Sequence, residues 1–590
     1  MPPHPPVLSD QQIKGLAAHA PLASPASLSA AQSWATVGEN GALPLAAAPV
    51  DGLAEGVERQ VNLSPVPAAF PALPFRSGSA NRLFPLRCSV QTYDWGKFGA
   101  DSLVAKLAAN NDTDLHVDPK SPYAELWMGT HPSGPSMVML DSPWRIITPL
   151  YDWLKLNPSM RALPATATAA RAEPVGTPPA SSTSGHGLPF LLKVLSVRTA
   201  LSIQAHPNKK LAEQLHNNDP EHYKDDNHKP EMTIAVTPFE ALCSFQKINS
   251  VLENLRACPE LVAIVGEDSV SMLSAAAEKA APLTPAWPVR PWGRRGAIGK
   301  PGTPRPEPEL PDGLTMKEAR AARSAHVVPA LQRVFRRLMT ADSNIVTTQL
   351  DMLMHRIRST SPMLLSPIDE LAHRLHDQYP KDTGVFCVYL LNYLVLEPGE
   401  ALFCNANEPH AYLFGDCVEC MATSDNVVRA GLTGKFKDVD VLCDMLTYDD
   451  GPPFLVAPSV LADGVLRYIT PVPEFLVDRA EVVGPCSTLL PPSPFVSLLL
   501  VIDGRGTLEE LHPSASITNL HSTHGSHNDG ADTKGGGGVR GTEGGAGAGL
   551  VHELRSGYVF MACAGTAVRL RVPRGERLLV FRATEKHELQ

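Results

Sequence analysis

The spacing of apolar residues changes twice along this chain, and that change limits the fold more than any single motif. Phe190–Ile203, Met232–Val236, Cys387–Leu396, Ala401–Asn405, Phe454–Val456, Phe495–Ile502 and Glu576–Arg582 are short runs rich in β-branched and aliphatic residues, and they read as strands. Two stretches differ, 247–279 and 315–379. There Val251, Leu252 and Leu255, then Leu331, Val334, Phe335 and Leu338, recur at helical spacing. The expected plan is β, then a helical insertion, then β again. Strands without βαβ alternation favour barrels or sandwiches.

That order fits a bicupin, two jelly-roll β-barrels, with an α-helical domain. A chain of 590 residues exceeds what one core supports. Its 56 prolines are about twice the usual share, so part of the length reads as linker. We expect a disordered extension over 1–80 and a first, catalytic cupin over 81–248 with a surface insertion at 158–186. A helical domain over 249–380 with a Pro-rich insertion at 281–313 follows. Strands in 381–450 complete the catalytic cupin, and 451–590 form a second cupin with a Gly-rich loop at 512–549.

Several function classes drop out on composition. With 61 acids against 51 bases the net charge is −10, which lacks the basic footprint of a nucleic-acid binder. An anionic substrate remains compatible, because a site needs only a few local cations. The 10 scattered cysteines do not form a disulfide framework and read as buried thiols of a reducing compartment. Cys417 and Cys420 read as two strand thiols rather than a zinc ribbon. The longest apolar run, Phe386–Leu396, is too short for a bilayer, so no membrane partner is expected. A cytoplasmic location is expected. The Ala, Ser and Pro bias of the first 50 residues also resembles an organellar transit peptide, though such peptides are usually Arg-rich.

Four segments carry chemistry. In Leu201-Ser202-Ile203-Gln204-Ala205-His206-Pro207 a strand would point Ser202, Gln204 and His206 to one face. Gln204 and His206 are then either a metal-binding pair or a hydrogen-bonded polar pair. In Asn227-His228-Lys229-Pro230-Glu231-Met232, Lys229 and Glu231 share a face. One could meet an anionic substrate while the other holds metal, or the two could form a surface ion pair. Pro398-Gly399-Glu400 followed by His410 has the turn-to-histidine spacing common at cupin metal sites. Ser424-Asp425-Asn426-Val427-Val428-Arg429 places polar groups in apolar surroundings, costly to bury without a purpose. A structural Asp425–Arg429 ion pair is the alternative reading.

Together these segments resemble the type I phosphomannose isomerases, as do Tyr93-Asp94-Trp95-Gly96, Tyr123-Ala124-Glu125-Leu126-Trp127-Met128-Gly129-Thr130-His131-Pro132 and Leu188-Pro189-Phe190. The resemblance implies one zinc ion per chain, held by Gln204, His206, Glu231 and His410, a donor set that suits zinc. It implies Arg429 as the essential active-site residue, with Lys193, Lys229, Ser202 and Asp425 lining the substrate pocket. The implied reaction interconverts mannose 6-phosphate and fructose 6-phosphate, acting as a monomer and feeding mannose activation for glycan synthesis. For the proton-transfer base, Glu419 is the first candidate and His228 the second. A non-catalytic sugar-phosphate-binding cupin is the alternative. Two departures from the family pattern stand out: Gly434 replaces the proline usual after Gly-Leu-Thr, and the three insertions are long.

Overall fold

The computed structural model describes residues 81–140, 145–163, 187–283, 316–511 and 551–586. The expected N-terminal extension, the Gly-rich loop and most of the two other insertions lie outside these. Among the described residues no helix is long and apolar enough to cross a membrane.

Two large sheets, of 11 and 12 strands, organise the chain, and their ladders are antiparallel. Eight strands of the 11-stranded sheet position the site: β1 (Glu125–Met128), β2 (Phe190–Val197), β3 (Ile203–Ala205), β4 (Glu231–Ala235), β5 (Phe239–Phe245), β6 (Ala401–Cys404), β7 (His410–Ala422) and β8 (Val428–Gly431). The second sheet gathers the C-terminal strands, among them Leu476–Val483, Ser497–Leu511 and Arg577–Thr584. It also recruits the first strand, Leu83–Arg87, which pairs with Val559–Ala562. The chain therefore closes its N-terminal strand onto its C-terminal sheet. Among the described residues neither sheet's order of strands returns to its first member.

β2 explains why its sequence is apolar almost throughout: all eight of its residues are buried. Phe190, Leu192 and Val194 pack on Phe475, Val477, Leu498 and Phe581 of the other sheet. Leu195 and Val197 face the opposite way, toward Cys404, Tyr412 and Cys417. Lys193 shares that second face by alternation. A strand covered on both faces loses the polar alternation of a surface strand, so its one lysine is conspicuous.

The helical segment forms Ile248–Ala257, Pro259–Val265, Glu267–Ala280, Met316–Met339, Ser343–Ser359 and Pro367–Gln378. Its core includes Val251, Leu255, Leu331, Val334 and Phe335, and takes in Ile203 and Ala205 of β3 with Val428 and Ala430 of β8. Docking those alternate residues on helices leaves Gln204 and Arg429 for the other face.

One sequence expectation changes, and the reading of the cysteines as buried thiols holds for all but one. Residues 383–389 form a 3-10 helix rather than the start of a strand, because the Asp382 carboxylate accepts from Gly384 N and caps it. The strand begins at Leu391. The cysteines are free thiols and all but Cys486 are buried. Cys417 and Cys420 fall in different cores on opposite faces of β7.

Candidate active site

The site lies on the inner face of the 11-stranded sheet, and cross-strand register assembles it. Gln204 on β3 stands directly opposite His410 on β7 and, on its other side, opposite Arg429 on β8. Partners in register project from the same face. Gln204, His410 and Arg429 thus form one transverse row. A second row runs Trp127, Lys193, Glu419, Thr233 across β1, β2, β7 and β4. Glu231, two residues before Thr233, shares its face.

His410 and Glu419 are nine residues apart on one strand, an odd spacing that would send them to opposite faces. β7 corrects this with a bulge. Its register with β5 slips by one residue between Tyr412 and Phe414, where Ala241 and Glu240 are the partners. Gly415 there has φ of 114°, and a Cβ on it would lie 2.5 Å from the Pro238 carbonyl oxygen. A bulge residue flips the parity of everything after it.

Three donor groups converge. Nε2 of His206 lies 3.4 Å from Oε1 of Glu231, and Nε2 of His410 lies 3.2 Å from Oε2. One donor atom from each residue falls within 4.8 Å of the others, with all three residues buried. His206 donates its Nδ1 proton to the Asn426 carbonyl at 2.7 Å, and His410 donates its own to the Glu408 carbonyl at 3.1 Å. A carbonyl only accepts, so these bonds fix the tautomer and aim both Nε2 lone pairs at the Glu231 carboxylate. Both Nε2 atoms and Glu231 Oε2 are buried without a hydrogen-bond partner. Burial pushes His206 down to about 4 against the pull of Glu231, leaving the imidazole neutral. Burial pushes the Glu231 carboxyl up, yet it is held well below the usual carboxylate range, with Lys229 as the cation beside it. Lone pairs facing a buried anion repel unless a cation sits among them. A divalent ion with nitrogen and oxygen ligands fits this arrangement, and Gln204 stands opposite His410 in register.

Charged groups surround this centre. Lys229 Nζ approaches Glu231 Oε1 at 3.4 Å. Lys193 lies between two carboxylates, 3.3 Å from Glu419 and 3.5 Å from Glu125, and 5.1 Å from the centroid of the Trp127 ring. Glu419 is buried and its pKa is raised to about 7, by desolvation first and the nearby Glu231 second. Arg429 borders a cavity of about 250 Å³ with His222, Tyr223, Lys224, Asp425 and Phe436. Asp425 pairs with His131 Nε2 at 3.3 Å. Ser202, half-buried, directly precedes β3.

His228 does not join them. Alternation turns it away from Lys229 and Glu231, and its Nε2 lies 2.5 Å from Glu474 Oε1. Several residues that hold the site went unassigned in the sequence reading. Asp225 organises the Ser-Asp-Asn loop: its carboxylate accepts from Ser424 Oγ at 2.8 Å and Asp425 N at 2.7 Å, and its carbonyl from Asn426 Nδ2 at 2.6 Å. His131, Glu125 and Trp127 lie inside a segment noted only for its resemblance.

Comparison with known proteins agrees with this geometry. The family model for the type I phosphomannose isomerase catalytic domain matches residues 83–248, and the one for its helical insertion domain matches 312–391. Mannose-6-phosphate isomerase 1 of Arabidopsis thaliana is 39% identical over 431 residues, covering 72% of this chain and 85% of its own length. The chain belongs to the type I phosphomannose isomerases. The Homo sapiens mannose-6-phosphate isomerase is 40% identical over 69% of this chain and 84% of its own. Among solved structures, a point variant of the Salmonella typhimurium phosphomannose isomerase matches in fold, with a TM-score of 0.58 and 22% identity, over 86% of this chain and all of that one. A mannose 6-phosphate isomerase bound with zinc and yttrium has the same fold at a TM-score of 0.57. Membership gives the phosphomannose isomerase fold, mainly β with a helical insertion.

Proposed function

We propose that the chain interconverts D-mannose 6-phosphate and D-fructose 6-phosphate by proton transfer through an enediol, with one zinc ion held by Gln204, His206, Glu231 and His410. The observation that carries this reading is the convergence of two Nε2 lone pairs and a carboxylate oxygen, unpartnered and buried. It occurs in a chain about 40% identical to mannose-6-phosphate isomerases. Zinc, when bound, would polarise the substrate oxygens and stabilise negative charge on them.

The chain's own residues supply the rest. A proton must move between C1 and C2, which calls for a base with a pKa near neutrality. Glu419 has that property and shares the inner face with Glu231. Arg429 keeps its charge at any working pH and forks onto oxyanions, so it suits the enediolate or the phosphate. Lys224 brings a second cation to the Arg429 cavity. Lys193 and Lys229 are committed to carboxylates, so we assign them to setting the charge of the pocket rather than gripping phosphate. Asp425 and Ser202 complete the substrate wall. We read the enzyme as acting as a monomer. The free thiols support a reducing compartment such as the cytoplasm. The two-sheet arrangement is read as a bicupin, with the first strand lent to the second domain. The product feeds mannose activation for glycan synthesis. A non-catalytic sugar-phosphate-binding cupin is disfavoured, because such a role needs no buried carboxyl titrating near neutrality.

The test is conversion of mannose 6-phosphate by the purified chain in D2O. Deuterium at C1 of the fructose 6-phosphate formed is expected from an enediol route. No turnover would refute the function; deuterium at C1 would exclude a direct C2-to-C1 hydride shift, whereas a proton carried between the carbons faster than it exchanges leaves no label.

A further inference from the structure

Lys193 is held from two sides, and only one of its partners is accounted for above. Glu419 stands opposite it on β7, as the proton-transfer reading requires. The other partner, Glu125 on β1, is buried, pairs with Lys193 at 3.5 Å and accepts the Trp127 indole N–H. Trp127 is directly opposite Lys193 and offers its ring to the same ammonium. A buried carboxylate is costly to keep, and a single one would suffice to neutralise Lys193. Two carboxylates on one ammonium leave a net negative charge in the row, and the carboxylate that loses in the competition is harder to ionise.

We propose that Glu125 is a positioning residue for the isomerisation, acting through Lys193: it shares the ammonium with Glu419, so that the Lys193–Glu419 pair is weakened and the Glu419 carboxyl is left able to take a proton. This rests on the isomerase reading and on Glu419 as its base. The other groups facing the pair are Glu231 and Lys229 from the β4 segment, Tyr412 and Cys417 from β7, and Tyr93. Among these, Glu125 is the carboxylate that meets Lys193 without belonging to the metal cluster or to the base. Glu125→Gln keeps an oxygen for Trp127 but removes the charge. Lys193 then pairs with Glu419 alone, and the Glu419 carboxyl ionises more easily and takes protons less readily.

The experiment measures kcat and kcat/KM against pH, with zinc content, for wild type, Glu125→Gln and Glu125→Asp, and for Glu125→Gln in a Lys193→Met background. Expected for Glu125→Gln are a fall in kcat of about tenfold to a hundredfold, KM within about twofold, and an acid limb moved to lower pH by about half a unit or more. Zinc content should match wild type. Glu125→Asp should restore the wild-type limb in large part, and Glu125→Gln should change little once Lys193 is gone. An unmoved pH profile, an undiminished effect in the Lys193→Met background, or loss of zinc would overturn the proposal. Should Glu125→Gln not fold, Glu125→Asp carries the test: a limb close to wild type with kcat within a few-fold is expected, and a kcat loss of about tenfold or more at an unmoved limb would overturn the proposal. Absence of turnover in the wild type would instead refute the isomerase reading beneath it.

Discussion

His206 and His410 each give one ring proton to a backbone carbonyl, and that decides what their other nitrogen can do. Both Nε2 atoms become acceptors aimed at an acceptor, Glu231, which only a cation reconciles. His410→Ala should therefore lose bound zinc at least tenfold, read by metal analysis, while unchanged zinc would dismiss it as a ligand. Arg429→Ala removes a permanent charge without removing a proposed metal ligand. It should lower kcat by about a hundredfold or more with zinc retained; near-normal kcat would refute its role. For Glu419 the sign is fixed by chemistry. A base works only when ionised, so kcat/KM should rise with pH up to about 7 and then level. Bound zinc offsets the Glu231 charge and moves that limb somewhat lower. A limb at the ordinary carboxylate value would point to another base. Gln204, His206, Glu231, His410 and Arg429 could be named from sequence through the family resemblance, since their short polar motifs alone left structural pairings open. Asp225 and Glu125 could not, since a single carboxylate beside a strand looks like any solvated acid until the fold shows whom it meets.

At the scale of elements, the site depends on register more than on loops. Gln204, His410 and Arg429 lie in one row because β3 pairs with β7 on one side and β8 on the other. The bulge in β7 lets His410 and Glu419 face the same interior. Gly415→Ala puts a Cβ against the Pro238 carbonyl at a φ of 114°. The expected cost is about 1–3 kcal/mol of stability with loosened zinc binding, measured by denaturant unfolding and metal titration. A variant as stable and as zinc-replete as wild type would show that the bulge needs no glycine. Strand and helix types were legible from periodicity of two and of 3.6. The bulge was not, because one inserted residue leaves local composition unchanged. Cys387–Tyr389, the last turn of the 3-10 helix Thr383–Tyr389, reads as strand from sequence since its apolar run has no period of its own.

At the scale of the whole molecule, each large sheet covers the other. Phe190, Val194, Met232 and Ile234 from one meet Phe475, Val477, Leu498 and Phe581 from the other. The β–helical–β order foretold this layering, whereas the lending of Leu83–Arg87 to the C-terminal sheet is a contact across most of the chain that no local pattern announces. The second sheet has a buried charge cluster of its own. Asp478 receives Arg467 Nε at 2.7 Å and Arg582 Nε at 2.9 Å. Asp478→Ala would strand two buried guanidinium groups and should destabilise the protein by about 3–5 kcal/mol. A shift in the unfolding midpoint too small for that would show water reaching the cluster. The His206–Glu231–His410 cluster is the place where both halves of the 11-stranded sheet meet, β3 and β4 from before the helices and β7 from after them. Turnover of mannose 6-phosphate by the same preparation as purified, after chelation, and after zinc is returned tests the proposed zinc site there most directly. The account predicts that turnover disappears with the metal and returns with it; full activity in protein shown to be free of metal would contradict it.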